Sequence, residues 1–453
     1  MGQMEEFWPH VARPRAVSGG RSNSAVVTAH YLSNFLFLLQ SSILPKGTQQ
    51  RNKSQVEGCR EQLKEISMIK SRRNFLSSLS MGAAAGAAVY WSGSIQAHAV
   101  ETDRTRQPDG FIRLNSNENA YGPSPKVASV IRSATGRMNR YPFMKCDELT
   151  QGIASFHRVK PEQVLFACGS TEILRVAACA FLGKSRQLIK ANPTFDAIEG
   201  YAKSVGSEVL SLPLDPIFAH DLDSMLAHTG ASTGLIYICN PNNPTASITD
   251  RRDLESFIGQ LPAATKVVID EAYHDYAIKS ARYASFIDRP LNDERVIVVR
   301  TFSTVYGLAG LRLGYAVASP KVIEKMRRFI TQDSLNATAA EVAVAALDDT
   351  NGVEEFVRRN CDDRTEFFNQ ATARTLKPID SQTNFVLMNV HHRTEEVIEH
   401  FRRHNILIGP HFPPLDTYIR VSLGTPEEMR AFWQTWDLRP WSKEFYGNLG
   451  RRR

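Results

Sequence analysis

The sequence predicts an α/β protein: a mostly parallel central sheet with helices on both faces, followed by a smaller α+β domain. Three observations lead there. Between 146 and about 340, short apolar runs alternate with helical stretches. The runs are continuously apolar, as expected of parallel strands covered on both faces. Beyond 341 the order changes to a long helical stretch, then short strands, then another helix, which is the texture of a separate unit.

Taken in order, strands are expected at 164–166, 187–189, 235–239, 266–269 and 296–299, with helices at 171–181 and 252–258 between them. After 341 the pattern gives a helix at 353–371 and strands at 384–388 and 418–422. A last helix follows Thr425-Pro426-Glu427-Glu428, where Thr425 is placed as N-cap and Glu428 completes a capping box. Residues 100–141 are expected to pack against this smaller domain. The resulting division is an N-terminal arm with part of the small domain at 100–145, a large domain at 146–340, a small domain at 341–440 and a tail at 441–453.

A chain of 453 residues can bury two or three domains' worth of core. The net charge of +7 is unevenly spread: residues 1–99 hold 11 Lys and Arg against 5 Asp and Glu, so +6 of it lies there. The remainder is nearly neutral, and a nucleic-acid partner is not expected.

That basic segment has internal order. Met68-Ile69-Lys70-Ser71-Arg72-Arg73-Asn74-Phe75-Leu76 is followed by a small-residue apolar run at 79–91 and then Ala97-His98-Ala99. This is the sequence of a twin-arginine signal with cleavage after Ala99. The run is too short and too rich in Ala and Gly for a stable membrane span. Residues 68–99 therefore read as a signal peptide. The expected location is periplasmic or exported, and the twin-arginine machinery is an expected partner. Residues 1–67 carry no sustained period and no motif, and read as an over-extended start or as disorder. The six cysteines, Cys59, Cys146, Cys168, Cys179, Cys239 and Cys361, contain no C-x-x-C pair. Neither a disulfide framework nor a metal site is expected.

Several polar segments sit just after expected strands, where ligands of parallel sheets bind. Gly169-Ser170-Thr171-Glu172 follows a strand and opens a helix, so it offers free N–H groups to an anion; alone it also fits an ordinary helix cap. Val267-Val268-Ile269-Asp270-Glu271-Ala272-Tyr273 ends an apolar strand with an acid, which also fits a strand-end cap. Asn240-Pro241-Asn242-Asn243-Pro244-Thr245 has the composition of a turn. Arg300-Thr301-Phe302-Ser303-Thr304-Val305-Tyr306-Gly307-Leu308-Ala309-Gly310-Leu311-Arg312 joins hydroxyls to a guanidinium. Pro193-Thr194-Phe195, Arg140-Tyr141-Pro142, the arm at 114–123 and Tyr418-Ile419-Arg420-Val421-Ser422-Leu423-Gly424-Thr425 complete the set.

Taken in chain order from Leu114 to Thr425, the segments resemble the fold-type I aminotransferases of class I/II, which use pyridoxal 5'-phosphate (PLP), and among them the histidinol-phosphate aminotransferase-like proteins. The resemblance covers nearly all of the chain after 114. It implies roles residue by residue. Ser170, Thr171, Thr301, Ser303 and Arg312 would hold the phosphate. Asp270 would pair with the ring nitrogen, Asn243 and Tyr273 with the phenolic oxygen, and Phe195 would cover a ring face. Arg420 would clamp the substrate carboxylate. A homodimer would place the arm at 114–123 and Tyr141 in the neighbouring subunit's site.

Two departures stand out. The family's Schiff-base lysine position is held by Thr304, so PLP would bind noncovalently and transamination would be slow or negligible. The family's phosphate-binding Arg near the C-terminus is matched by Gly409 in Asn405-Ile406-Leu407-Ile408-Gly409-Pro410. The resemblance implies an exported aminotransferase acting on an amino acid and a 2-oxo acid. The alternative is an exported pseudoenzyme that binds PLP, pyridoxamine phosphate or an amino-acid aldimine without turnover. His274 is a speculative base, or a packing histidine.

Overall fold

The computed structural model describes residues 110–287, 293–331 and 334–440. The expected signal peptide at 68–99, the segment 1–67, Cys59 and the tail at 441–453 lie outside the described residues.

The chain enters on strand β1 (Ile112–Leu114) and continues through helices α1 (Pro125–Ala134) and α2 (Phe143–His157). Then follow β2 (Val164–Ala167), α3 (Ser170–Phe181), β3 (Gln187–Asn192), α4 (Ala197–Ser204), β4 (Glu208–Pro213) and α5 (Leu222–Ala227). Next come β5 (Thr233–Cys239), α6 (Arg251–Gln260), β6 (Lys266–Asp270), α7 (His274–Ala277), β7 (Val296–Thr301), β8 (Gly314–Ala318) and α8 (Pro320–Arg327). Strands β2 to β8 form one seven-stranded sheet in the order β2-β8-β7-β6-β5-β3-β4. All pairings are parallel except those of β8, which runs antiparallel to β2 and β7. The mixed, mostly parallel sheet with helices is the architecture the sequence predicts.

Both faces of this sheet are covered, which is why its strands read as unbroken apolar runs. Along β5, Ile236 and Ile238 pack with Leu254 and Phe257 of α6 on one face. Leu235 and Tyr237 point the other way, into a core with Ile173 and Leu174 of α3 and Ile198 of α4. Strands β4 and β8 were not among the expected ones. The first lies at the sheet edge with only Leu212 buried, and the second begins inside a motif read for its chemistry.

The rest of the chain comprises α9 (Ala337–Leu347), α10 (Thr350–Ala373), β9 (Lys377–Pro378), β10 (Phe385–Asn389), α11 (Thr394–Arg403), β11 (Ile406–Ile408), β12 (Tyr418–Ser422) and α12 (Pro426–Asp437). Strands β12, β10 and β9 form an antiparallel sheet, and β1 pairs in parallel with β11. A separate core of Phe367, Phe401, Phe432 and Trp436 lies here. The capping box is present: Thr425 N donates to Glu428 Oε2 at 2.8 Å and Glu428 N to Thr425 Oγ1 at 3.4 Å.

The domain limits need correction. Position 340 falls inside α9, whose Ala339, Ala340, Val342 and Ala343 are buried in the large-domain core with Leu149 and Ile153 of α2. Position 146 falls inside α2. The arm is divided as well: β1 joins the small-domain strand β11, whereas Val127 of α1 belongs to the large core. The change of texture near 341 marks where strands stop alternating with helices. It does not mark where the first core ends, because α9 is Ala-rich and closes that core from outside the sheet.

Candidate active site

The carboxyl ends of β5, β6 and β7 and the start of α3 converge on one cavity of about 160 Å³. Its wall includes Ser170, Thr171, Phe195, Asn243, Asp270, Tyr273, Thr301, Ser303, Thr304 and Arg312. Ten of the expected site residues, drawn from a span of more than 140 positions, thus meet at one point. Arg420 and Tyr141 do not line it.

One end of the cavity is an anion cradle. Helix α3 starts at Gly169 without a side-chain cap, so its first N–H groups face the cavity end unpaired by a capping side chain. Arg312 lies across this turn, with Nη1 donating to Ser303 Oγ at 3.3 Å and Nη2 to Thr171 Oγ1 at 3.4 Å. Ser303 is held in turn, its N–H donating to Thr301 Oγ1 at 3.1 Å. Gly169 has φ +83° and ψ 160°, a region that side chains avoid, and a Cβ there would collide with the Arg312 guanidinium. The glycine is required for arginine and helix terminus to close on the same point.

The opposite end carries the acid. Asp270 terminates β6 and is 2 % exposed. Its Oδ2 accepts from Tyr237 OH at 2.9 Å and its Oδ1 from Ala272 N at 3.1 Å. Burial pushes its pKa up to about 6, against the pull of those two donors. A buried carboxylate with only two donors gains from sharing a proton with a basic ring nitrogen. Behind it, Glu271 and Arg300 form a buried ion pair at 2.9 Å, with Ser285 donating to Glu271 Oε2 and accepting from Arg300 Nη2.

Between these ends stands a layer of amides around Tyr273. Its oxygen accepts from Asn117 Nδ2 at 2.9 Å and from Asn243 Nδ2 at 3.4 Å. Burial raises the Tyr273 pKa above its ordinary value, opposed by Arg420 and by the Asn117 bond. Arg420 stands behind Asn243: Nη1 donates to Asn243 Oδ1 at 2.7 Å and Nη2 to Asn115 O at 2.5 Å. Its Nε is buried with no partner among the described residues, and burial lowers its pKa to about 10. That Nε faces Gly409, where a Cβ would stand 3.1 Å away.

Thr304 is 5 % exposed, and its Oγ1 donates to Ala272 O at 2.8 Å. No lysine lines the cavity among the described residues. Tyr141 is 73 % exposed and stacks on Phe143 at 5.5 Å, away from the cavity of its own chain. His274 is buried against Tyr283 at 3.1 Å, held well below its usual pKa by burial and by Arg300; it packs rather than serving the cavity. Sequence reasoning missed Tyr237 and Cys239 as parts of the site, and the resemblance put the arm holding Asn117 in the neighbouring subunit's site, whereas Asn117 lines the cavity of its own chain. The parallel register that sets Cys239 beside Asp270, and hence Tyr237 on the same face, was the available signal for the first two.

The cavity has a feature for each exposed group of PLP except the aldehyde: an uncapped helix terminus with Arg312, a buried acid, and two amides flanking a phenol. The residues present fit the cofactor held noncovalently. The family model for aminotransferase class I and II matches residues 109–435. The chain belongs to this family. Its members use PLP, and the chain is a transaminase by that membership. It is 35 % identical over 333 residues to a histidinol-phosphate aminotransferase of Caldicellulosiruptor saccharolyticus, covering 73 % of this chain and 92 % of that protein. A second, from Moorella thermoacetica, is 33 % identical over 73 % of this chain and 86 % of its own length. Among solved structures, the histidinol-phosphate aminotransferase of Sinorhizobium meliloti in complex with PLP superposes with a TM-score of 0.68. It is 25 % identical, with 72 % of this chain and 91 % of that one covered.

Proposed function

We propose that the chain is an exported, homodimeric aminotransferase for an α-amino acid and a 2-oxo acid, whose turnover in its present form is held down by Thr304. The observation that carries this reading is the convergence of Ser170, Asn243, Asp270, Tyr273, Ser303 and Arg312 on one cavity whose wall holds a threonine and no lysine.

When bound, PLP supplies an electron sink for charge developing at the substrate α-carbon. The chain's own residues supply the rest. Ser170, Thr171, Ser303 and Arg312 would hold the phosphate, and Phe195 would cover one ring face. Asp270 would keep a proton on the ring nitrogen. Asn243 and Tyr273 would donate to the phenolic oxygen. Arg420 would orient the substrate carboxylate. Thr304 supplies neither an amine nor a base near neutral pH, and its hydroxyl proton is committed to Ala272 O. General acid–base assistance is worth about 10²–10⁴ in rate, and that contribution is lost.

A carboxylate-bearing amino acid suits the site better than histidinol phosphate, the compound in the relatives' names. Gly409 donates its N–H to Arg420 O, and a Cβ there would stand 2.8 Å from that oxygen and 3.1 Å from Arg420 Nε. The position is filled by the Arg420 strand, and an added side chain would displace Arg420. Dimerisation is supported by the exposed apolar stretch of Met138, Tyr141, Phe143 and Met144. Export rests on Ser71-Arg72-Arg73-Asn74-Phe75-Leu76 and the cleavage site at Ala99.

The second reading, a binding protein for PLP or pyridoxamine phosphate, draws on the same Thr304. Absorbance spectra and amino-group exchange separate the two. Thr304→Lys should give a borohydride-reducible adduct and turnover at least about 10²-fold above the parent. A Thr304→Lys protein that takes up PLP covalently yet exchanges no amino groups would reject the enzyme reading. A parent protein that binds PLP reversibly and turns over nothing would favour the binding protein.

A further inference from the structure

The resemblance covers Asn117 within the arm at 114–123 but implies no individual role for it, and it has an unusual station. It is 5 % exposed, and its backbone is left-handed at φ +56°, a conformation that Asn tolerates better than other side-chain-bearing residues. All of its polar groups are engaged. Its N–H donates to Ser422 Oγ at 2.8 Å, and its carbonyl accepts from Asn384 Nδ2 at 2.9 Å. Its Oδ1 accepts from Ser422 Oγ–H at 3.2 Å, and its Nδ2 donates to Tyr273 OH at 2.9 Å. With Ser422 donating to the oxygen, the amide faces Tyr273 with its NH₂.

The same logic fixes the other amide. Arg420 has no acceptor to offer, so its bond to Asn243 Oδ1 forces Asn243 Nδ2 toward Tyr273. The Tyr273 oxygen is thus met by two N–H donors, one on each lone pair. Its own proton has to point elsewhere, and the cavity lies on its open side. Arg420 and Ser422 are two apart on β12, hence on one face of that strand. The contacts therefore form a ring, from Ser422 through Asn117, Tyr273 and Asn243 to Arg420 and back along β12.

We propose that Asn117 is a positioning residue that holds Tyr273 as an obligatory hydrogen-bond donor toward the phenolic oxygen of the cofactor and ties that donor to the strand carrying Arg420. This rests on the reading that the cavity takes PLP. Asn117 does not touch the cofactor; it acts through the direction of one proton. Replacing its NH₂ by an acceptor would draw the Tyr273 proton away from the cavity.

The test uses the mature protein, PLP and its 3-deoxy analogue, which lacks the phenolic oxygen, with binding followed by fluorescence quenching. The parent should prefer PLP to the 3-deoxy analogue by roughly tenfold, as for a hydrogen bond to a charged oxygen. Asn117→Asp keeps the oxygen that Ser422 addresses and should erase this preference without weakening the analogue. Tyr273→Phe should do the same, and the double variant should be no worse than Tyr273→Phe alone. Should the aspartate variant misfold, Asn117→Gly, which accepts the left-handed backbone and removes the donor without supplying an acceptor, should reduce the preference rather than erase it. Equal losses for both ligands, an unchanged preference, or additive losses in the double variant overturn the proposal while leaving PLP binding by the parent intact. A parent that binds neither ligand sinks the functional reading itself, and this inference with it.

Discussion

Replacing Asp270 by asparagine should make the cofactor-free protein more stable at neutral pH while removing the acid that would serve the ring nitrogen. Asp270 is buried at the end of β6, and its pKa stands at about 6 against an ordinary 3.8. Because the folded value is the higher one, the folded chain binds the proton more tightly than the unfolded chain between those two values. Stability from this group is therefore fully present below about pH 4, declines as pH rises toward about 6, and is constant above that. At about 1.4 kcal/mol per pH unit, the charged carboxylate costs at most about 3 kcal/mol at pH 8. Asparagine has no charge to bury. It can still accept from Ala272 N–H, and its NH₂ can donate to a rotated Tyr237 hydroxyl. Thermal melts of parent and Asp270→Asn without cofactor, from pH 4 to 8, should diverge between pH 4 and 6 and run parallel above. The final gap should be on the order of 5 °C in favour of the variant. Adding PLP should narrow that gap, because the ligand gives the carboxylate its proton-bearing partner. Parallel melts across the whole range, or a variant that loses stability at pH 8, would falsify the assignment of Asp270 as an acid held at a cost.

Arg300→Met should destabilise the fold by about 3–5 kcal/mol, because Glu271 would be left buried without its cation; chemical denaturation reads this, and a loss below 1 kcal/mol would mean water reaches the pair. Gly169→Ala should cost about 1–3 kcal/mol through its backbone conformation alone, and should also push Arg312 out of the anion cradle. PLP affinity should fall more steeply for Gly169→Ala than does affinity for pyridoxal, which lacks the phosphate, and equal losses would argue against the cradle.

Much of the site was legible because its parts are local. Strand-end acid, uncapped glycine turn and hydroxyl-rich loop each sit within a few residues of an apolar run whose end is visible in the chain. Asp270, Ser170 and Ser303 could be named that way, since the carboxyl ends of parallel strands gather on one side of a sheet. The parts that were not legible are contacts between distant segments. Asn117 reaches Tyr273 across 156 positions, and nothing in its neighbourhood announces a left-handed backbone. Tyr237 reads as one more apolar strand residue until the register brings it beside Asp270. Arg420 could be named, but not its arrangement behind Asn243 with an unused Nε.

The order of strands and helices, the ordered run of polar segments and the presence of Thr304 rather than an amine were set by residue identity alone, because side-chain periodicity and covalent chemistry are read within a few positions of each other. Which core α9 joins, where the Tyr273 proton points and how Arg420 is shielded were decided only by the folded chain. Each depends on which groups from separate segments satisfy one another once water has been removed, and that exchange of partners has no counterpart in the linear pattern.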